Sequence, residues 1–433
     1  MMALVPVAGA VLLLLSGSGN RQSGPSAVLS LPPLQWLGKL SYSLYLWHWP
    51  VIVYAAMLVP DLSLADRLGG LALTLVLSVF TYNFIENPIR RNGWLMANAA
   101  RALVPAVLLT GTGVAGAYAN ARLAVHDIDP EQRIIAESAA LPSTARAGGC
   151  IVDFEIVTPK PCVFGSKNAQ GSIALFGDSH ADHWSTPLIG AAQKHNYRVL
   201  TWLKSSCRAS RLTIWVTKLK RDYTECDQWR AQSIKEIIAA RPNLVVISEI
   251  ALASSRKLSP DAKISDSQDA EWRAGLRATI EAFSRAGLKV AFIRDVPFND
   301  KPVDTCVARA LWRGQTPSLC DQTRAYAAND AAAAVERDIV RSIPNAFYVD
   351  MTDQFCDAET CRVFIGGKLA YRDRHHMATP FARTLERPIE RALFSNMVTA
   401  AVKYAGGGPR YGWSSSSGAS SSSISAATLA DGS

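Results

Sequence analysis

The sequence predicts two fold classes joined in one chain: an α-helical membrane segment, then an α/β domain with helices on both faces of a parallel sheet. The first observation is the distribution of charge. Of 45 Lys and Arg and 36 Asp and Glu in 433 residues, residues 1–120 hold only six and three, far below the roughly 25% of charged residues in a soluble domain. The second is an alternation, from residue 172 onward, of short apolar runs with long amphipathic stretches. A single soluble globule is therefore excluded.

The low-charge region contains four apolar stretches, at 3–15, 44–59, 68–84 and 102–118. The last three, with their flanks, approach the roughly 20 residues that cross a bilayer as a helix. The first is shorter and lacks a positively charged start, so we favour a membrane span there, with a cleaved secretory signal as the alternative.

Basic residues near the ends of these stretches orient the chain, because such residues tend to remain cytoplasmic. Arg90, Arg91 and Arg101 lie in the loop at 85–101, whereas the preceding loop has only Arg67. We therefore expect the 85–101 loop to be cytoplasmic. One further crossing then places everything after residue 120 outside the cytoplasm.

Cysteine usage tests this orientation independently. The first 149 residues contain no cysteine, and all eight cysteines follow them, as an oxidising compartment permits. No Cys-x2-Cys spacing or Cys/His cluster favours zinc, so we predict no metal site. We expect neighbouring cysteines to pair: Cys150 with Cys162, Cys207 with Cys226, Cys306 with Cys320, and Cys356 with Cys361.

The formal net charge of +9 does not predict a nucleic-acid partner. A basic surface attracts phosphate, but here the basic residues are interspersed with acidic ones and form no run longer than two. A solvated surface of mixed charge is the better interpretation.

The α/β pattern gives five strands and four helical stretches. The predicted strands are 172–176, 198–202, 244–248, 290–293 and 347–350, and the helical stretches are 228–240, 270–286, 324–341 and 381–393. In a parallel sheet of this kind, reactive groups gather beyond the carboxyl ends of the strands.

The first strand runs directly into Gly177-Asp178-Ser179-His180. Glycine lets the chain turn tightly and presents the serine at the sheet edge, at the start of a helix whose free N–H groups can stabilise an oxyanion. The alternative is a plain turn in which Asp178 or Ser179 caps the next helix.

A second motif, Tyr371-Arg372-Asp373-Arg374-His375-His376-Met377, follows the fifth strand. An Asp three residues before a His can accept the Nδ1 proton and leave Nε2 free to take a proton from a serine. Adjacent histidines alone also fit a metal site or a solvated turn. The combination with Gly-Asp-Ser favours His376 as the base, with His375 as the alternative base.

Two stretches of the low-charge region carry a family resemblance. Residues 37–50 read Leu-Gly-Lys-Leu-Ser-Tyr-Ser-Leu-Tyr-Leu-Trp-His-Trp-Pro, and residues 81–91 read Thr-Tyr-Asn-Phe-Ile-Glu-Asn-Pro-Ile-Arg-Arg. They resemble the closing helices of the acyltransferase family 3 membrane proteins, which implies movement of acyl groups, often acetyl, onto surface polysaccharides. The earlier spans of that family, with their catalytic histidine, are not in this sequence. His48 fits an interfacial position in an aromatic belt at least as well as a catalytic one.

Residues 170–395 resemble the SGNH hydrolase family through the Gly-Asp-Ser and Asp-x-x-His motifs. The resemblance implies a flavodoxin-like three-layer fold, with Ser179 as nucleophile and oxyanion donor through its N–H, His376 as base and then acid, and Asp373 as its orienting partner. The family also uses a Gly after the second strand and an Asn after the third. Neither is present in 204–208 or 248–251, although an amide near Ser206 or Cys207 can replace the former.

The apolar stretches, the two resemblances and the composition of the end of the chain together predict four regions. They are a partial acyltransferase-3 region at 1–93 with about three spans, a further span and linker at 94–145, an exported SGNH-like domain at 146–400 and a Gly/Ser-rich tail at 401–433. The tail has too few large apolar residues to offset ordering entropy, so we expect it to be disordered.

This layout resembles a group of bacterial O-acyltransferases that modify surface polysaccharides such as lipopolysaccharide. It implies a multi-pass protein of the inner (plasma) membrane with a periplasmic SGNH domain. Acetyl-CoA is the expected acyl donor, no tightly bound cofactor is expected, and the expected partners are the bilayer, a polysaccharide acceptor and a separate protein supplying the missing spans. The alternatives are an esterase acting on the same polysaccharides and a glycan-binding module with a degenerate site.

Overall fold

A computed structural model describes residues 7–12, 25–59, 62–126, 129–251 and 266–405. The chain divides into two compact units, Met1–Asp129 and Pro130–Ser433. The four predicted regions are thus gathered into two units, with the dividing point inside the stretch that we expected to be a span and linker.

The first unit is helical. Its long helices are α1 (Pro32–Leu58), α2 (Leu64–Thr81) and α3 (Ala99–His126), with short helices at Pro25–Leu29, Tyr82–Glu86, Asn87–Arg90 and Gly93–Met96. Two side-chain hydrogen bonds join α1 to the segment at the end of α2. Ser43 donates to Glu86 at 2.8 Å, and the Trp47 indole donates to Thr81 at 2.8 Å.

Two stretches of this unit, Leu64–Arg90 and Ala99–Leu123, are long and apolar enough to cross a membrane. They contain the spans predicted at 68–84 and 102–118. Most of the span predicted at 44–59 lies in α1, which is long but is not among the described stretches apolar enough to cross a membrane. Of the stretch at 3–15, residues 7–12 are helical and the others lie outside the described residues.

The second unit is built on a parallel sheet. Its strands are β1 (Ile151–Val152), β2 (Cys162–Phe164), β3 (Gly171–Gly177), β4 (Tyr197–Lys204), β5 (Leu244–Ser248), β6 (Val290–Ile293) and β7 (Ala346–Val349). The order is β1-β4-β3-β5-β6-β7, with every pair parallel, and β2 adds antiparallel to β4. Strand β3 is central, so the residues that follow it emerge at the middle of the carboxyl edge.

Helices cover both faces of this sheet. They are α4 (Pro130–Ala140), α5 (Ser179–Lys194), α6 (Thr224–Ala240), α7 (Asp266–Arg285), α8 (Val303–Trp312), α9 (Asp330–Arg341) and α10 (Glu386–Ala405). Shorter helical elements lie at Thr144–Ala147, Pro317–Cys320, Arg324–Ala327, Thr352–Gln354, Thr379–Ala382 and Arg383–Leu385. Two-residue strands form hairpins or pairs at Trp215–Val216 with Arg221–Asp222, Gln322–Thr323 with Thr360–Cys361, and Phe364–Ile365 with Lys368–Leu369.

The alternation of side chains along β3 separates two apolar cores. Ile173 and Leu175 face the core shared with α5 and α10, whereas Ala174 and Phe176 face the core shared with α6, α7 and α9. This is the predicted three-layer arrangement, since side chains of one strand alternate between the faces of a sheet.

The predicted strands agree with the observed ones to within two residues at each end, and the helices differ more. The helix predicted at 324–341 is broken, because Asn329 adopts a left-handed conformation with φ 51°. The predicted linker contains α4, which belongs to the second unit because Ile135 is buried and Gln132 donates to the Ala308 carbonyl at 2.7 Å. The boundary predicted at 400 falls within α10, and residues 406–433 lie outside the described residues.

The predicted disulfide pairing is confirmed. Bonds join Cys150 to Cys162, Cys207 to Cys226, Cys306 to Cys320 and Cys356 to Cys361. Their sequence separations are 12, 19, 14 and 5 residues, and a crosslink that closes a loop of about 15 residues stabilises a fold by about 3 kcal/mol.

Candidate active site

Ser179 is the first residue of α5, two residues beyond the end of central strand β3. Asp178 caps the helix: its carboxylate accepts the His180 amide at 2.8 Å and the Ile250 amide at 3.0 Å. In the described part of the chain, the Ser179 amide donates to no protein acceptor. It therefore lies free at the positive end of a sixteen-residue helix, where an anionic oxygen is stabilised.

The three residues predicted to act together lie together in the structure. Ser179 Oγ is 2.9 Å from His376 Nε2, and His376 Nδ1 is 2.7 Å from one carboxylate oxygen of Asp373. The other Asp373 oxygen accepts the amides of His375 at 2.9 Å and His376 at 2.7 Å. These residues, called the triad below, have the hydrogen-bond order of a serine nucleophile, its base and the orienting carboxylate.

Asp373 is held in its ionised form. Burial opposes its charge, but the hydrogen bond from His376, the charge of that ring and the His375 amide together lower the pKa of Asp373 below its usual value. A carboxylate that stays ionised keeps accepting the Nδ1 proton of His376. The Nε2 atom facing Ser179 then remains able to accept a proton.

His375, the alternative base, makes no hydrogen bond to Ser179 within the described residues. Its Nδ1 lies 2.8 Å from Nε2 of His180, and Nδ1 of His180 contacts Asp295. Sequence reasoning did not identify His180 or Asp295. The available signals were His180 within the first motif and Asp295 two residues beyond the end of β6.

Two groups of side chains here have the residue types and spacing of a metal site. Ligand atoms lie within 4.8 Å of one another in the sets His180, His375, His376 and His180, His183, Asp295. The 2.8 Å separation between the His180 and His375 nitrogens is a hydrogen-bond distance, shorter than the roughly 3.3 Å expected between two nitrogens on tetrahedral zinc. The His183 Nδ1 atom accepts the Met377 amide at 3.4 Å. Hydrogen bonding thus accounts for the contact between His180 and His375, whereas His183 Nε2 is buried without a hydrogen-bond partner among the described residues.

The stretch after β4 has a backbone suited to the missing glycine. Ser206 has φ 54°, in the left-handed region that favours glycine. The amide of Ser205 donates to Val152 at 3.0 Å and that of Cys207 to Lys204 at 3.2 Å, while the Ser206 amide donates to no acceptor within the described ranges.

Lys204, the last residue of β4, joins the start of this turn to the loop that follows β1. Its ammonium group donates to the carbonyls of Asp153 at 2.6 Å, Phe154 at 3.0 Å and Ile156 at 2.6 Å, and burial lowers its pKa to about 8.

The stretch after β5, where the family has an asparagine, is used structurally. Glu249 accepts the Ser210 amide at 2.7 Å and the Trp272 indole at 3.1 Å. The next amides, of Ile250 and Ala251, donate to Asp178 and Asp295. Unlike these amides, those of Ser179 and Ser206 donate to no acceptor in the part of the chain that the structure describes.

Two family models match the chain. The model described as an SGNH domain (fused to AT3 domains) matches residues 149–391, more than half of the chain, and an acyltransferase domain model matches residues 1–83. The chain belongs to the family of SGNH domains fused to AT3 domains. The predicted fold class, an apolar helical region followed by an SGNH-like parallel sheet, is therefore confirmed, and the protein is a membrane protein.

The curated relatives of this SGNH–AT3 chain match it over a short segment. A peptidoglycan O-acetyltransferase OatA of Listeria monocytogenes is 33% identical over 72 residues, 16% of this chain and 12% of the relative. An O-acetyltransferase OatA of Staphylococcus aureus is 40% identical over 68 residues, 15% of this chain and 11% of the relative. The matched segments thus span about an eighth of the relatives' length.

Among solved structures, the periplasmic domain of a Salmonella Paratyphi A lipopolysaccharide acetyltransferase is similar. It is 17% identical with a TM-score of 0.41, and the match covers 58% of this chain and 88% of that one.

Proposed function

We propose that this chain is a membrane-bound O-acyltransferase that places acyl groups, in the first instance acetyl, on an exported or cell-surface polysaccharide. Ser179 carries the acyl group between donor and acceptor. The observation that supports this most strongly is the hydrogen-bonded triad, which stands at the centre of the carboxyl edge of the sheet in a family whose SGNH domains are fused to acyltransferase domains.

In the first step, Ser179 becomes acylated. His376 Nε2 takes the proton of Ser179 Oγ as this oxygen attacks the acyl carbonyl carbon, and the oxyanion forms within reach of the Ser179 and Ser206 amides. Collapse breaks the bond to the donor's leaving group, which receives the proton from His376. In the whole system the acyl group originates from a cytoplasmic thioester such as acetyl-CoA and is handed across by the membrane part.

In the second step, the acyl group leaves Ser179. A sugar hydroxyl gives its proton to His376 as its oxygen attacks the acyl-serine carbonyl, and Ser179 regains that proton when its ester bond breaks. Water entering in place of the sugar gives hydrolysis, so the same triad would serve an esterase. The intact hydrogen bonds of the triad favour either enzyme over a binding module with a degenerate site.

Charge and cysteines support one arrangement of the chain in the cell. Four disulfides in the second unit support an oxidising compartment, and Arg90, Arg91 and Arg101 support a cytoplasmic loop before α3. We therefore place the protein in a bacterial inner membrane as a multi-pass protein, with the SGNH unit on the periplasmic side. A separate protein supplying further acyltransferase spans fits this arrangement. Peptidoglycan and lipopolysaccharide, named for its relatives, are the first acceptors to examine.

Acetylation of surface glycans tests the proposal in cells. Deletion of the gene is expected to remove acetyl groups from one glycan, and the wild-type gene is expected to restore them, whereas Ser179→Ala is not. Gain of acetyl groups on deletion would show an esterase instead. Full restoration by Ser179→Ala would point to a binding role.

The orienting carboxylate provides a test in vitro. Asp373→Asn is expected to lower kcat for an aryl acetate by about 10²- to 10⁴-fold, because an amide can hold His376 in the tautomer whose Nε2 already carries a proton. The measurement uses the full chain in detergent. Asp321→Asn is the control, since Asp321 also accepts a backbone amide, that of Val363 at 2.9 Å, and should leave kcat unchanged. An unaltered kcat in Asp373→Asn would remove Asp373 from the mechanism.

A further inference from the structure

A second chain of titratable side chains lies directly beside the triad. Asp295 contacts Nδ1 of His180, and Nε2 of His180 lies 2.8 Å from Nδ1 of His375. Asp295 and His180 are buried, with 8% and 1% of their surfaces exposed. The two-step mechanism above uses none of these three residues, which are called the Asp295 relay below.

The Asp295 relay is close to the catalytic base. The rings of His375 and His376 have centroids 4.1 Å apart, and those of His180 and His376 are 5.1 Å apart. One ring nitrogen from each of the three histidines lies within 4.8 Å of the other two. A positive charge on His376 is among the influences that lower the pKa of both His180 and His375, after the larger effect of burial. A positive charge on His376 therefore disfavours protonation of His180 and His375, and a positive charge on either of them disfavours protonation of His376.

The backbone sets the direction of the hydrogen bonds in the relay. The two Asp295 oxygens accept the amides of Ala251 at 2.7 Å and Val296 at 2.8 Å, which favours the carboxylate form. A carboxylate requires His180 to donate from Nδ1 and to accept at Nε2. His375 must then donate from Nδ1, which leaves its own Nε2 without a proton.

One added proton reverses every bond of the relay. Protonated Asp295 donates to Nδ1 of His180, Nε2–H of His180 donates to Nδ1 of His375, and Nε2 of His375 carries a proton. Both imidazoles are neutral in both arrangements. The relay therefore exists in two states that differ by a single proton, with the negative charge of Asp295 present in only one.

We propose that Asp295, His180 and His375 form a positioning relay for His376, in which ionised Asp295 supplies a buried negative charge behind the imidazole that becomes positive in each acyl-transfer step. The relay also joins three elements that carry the site: the start of α5, the loop at 373–376 and the end of β6. This inference rests on the proposed function, because it concerns how His376 works. A buried charge acts strongly over such distances since little water screens it.

The acidities of the groups fit this role. Burial lowers the pKa of His180 and of His375 to about 3, so both rings stay neutral. Burial raises the pKa of Asp295 to about 7 against the opposing effects of the Ala251 amide and His375. As pH rises through about 7, Asp295 therefore loses its proton and the active state of the relay is gained. The charged or titratable groups around Asp295 in the described residues are His180, His183, Arg208, Arg294, Glu336, Tyr371 and His375.

Kinetics of the full chain in detergent test the relay. Asp295→Asn and His375→Gln are expected to lower kcat for an aryl acetate by about 10- to 100-fold with a smaller change in KM, because they affect the base and not substrate binding. In the wild type kcat should include a rise near pH 7, and Asp295→Asn should lose this rise since an amide does not ionise. Controls are Asp321→Asn and His195→Gln, whose native side chains bond to the Val363 amide and to Glu390.

The outcomes separate the relay from the proposed function. Absence of Ser179-dependent turnover in the wild type overturns the proposed function and the relay with it. Ser179-dependent turnover with unchanged kcat and pH profile in His375→Gln overturns the relay alone, and this variant keeps the test decisive if Asp295→Asn fails to fold. Loss of wild-type activity on dialysis against EDTA, restored by zinc, would also overturn the relay, in favour of a metal site.

Discussion

Ser179→Ala is expected to lower aryl-acetate turnover by the full chain by about 10⁴- to 10⁶-fold. The substitution removes the only atom that attacks the acyl carbon and leaves His376 without its 2.9 Å partner. The helix cap should survive, because Asp178 and not Ser179 accepts the His180 amide. The free energy of unfolding is therefore expected to change by less than about 0.5 kcal/mol. Initial rates and thermal unfolding of the same preparation measure both quantities.

Ser185→Ala is a matched control within the same helix. Ser185 is buried and accepts the Ala145 amide at 3.2 Å, so its loss should destabilise the fold by about 1–3 kcal/mol while leaving turnover near the wild-type value. The two substitutions thus give opposite patterns of activity and stability. If Ser179→Ala keeps as much activity as Ser185→Ala, Ser179 is not the nucleophile.

The triad is predictable from the sequence because its parts are local. Asp373 and His376 are three residues apart and bond to each other, and Ser179 is placed by the turn at Gly177 that follows a buried strand. Their convergence across 197 residues is favoured by the parallel sheet, because all its strands end at the same edge, and the loop after the last strand carries Asp373 and His376 back to Ser179.

The Asp295 relay is not predictable in this way. His180 and Asp295 are 115 residues apart, and His180 and His375 are 195 apart, with no spacing pattern that links them. Nothing in the sequence distinguishes the roles of two adjacent histidines. Only the three-dimensional structure shows that Nδ1 of His375 lies beside His180, whereas His376 faces Ser179.

Strands were easier to predict than helices for a related reason. Leu244–Ser248 is buried at every residue, and a strand covered on both faces is an unbroken apolar run. Helix α4 has only two large apolar residues, Ile134 and Ile135. Its place in the second unit depends on the burial of Ile135 and on the bond of Gln132 to Ala308, 176 residues away.

The second large effect is expected at Gly177, where Gly177→Ala should destabilise the second unit by about 3 kcal/mol or more. Gly177 has φ 150°, and an added Cβ would overlap the carbonyl oxygen of Ser248 and lie 2.9 Å from the Ala181 Cβ. Both neighbours are fixed: Ser248 ends β5, which pairs with β3, and Ala181 is buried in α5. Relief of the overlap requires β3 and β5 to separate or α5 to move, and either movement displaces Ser179 from His376. The free energy of unfolding, measured with denaturant, and the rate of aryl-acetate turnover should therefore both decrease.

Gly287→Ala separates overlap from backbone strain. Gly287 has φ 77°, also in the region that side chains rarely adopt, but an added Cβ there meets nothing within 4 Å. This variant should lose only about 1–2 kcal/mol of stability, which is the strain of a left-handed residue. Its turnover should be unchanged, because Gly287 lies in the turn before β6, at the opposite end of that strand from Asp295. Equal losses in the two variants would mean that backbone conformation alone accounts for the glycine at 177. A much larger loss of stability in Gly177→Ala would show that glycine is needed at 177 because β3, β5 and α5 approach one another closely there. That close approach places the nucleophile.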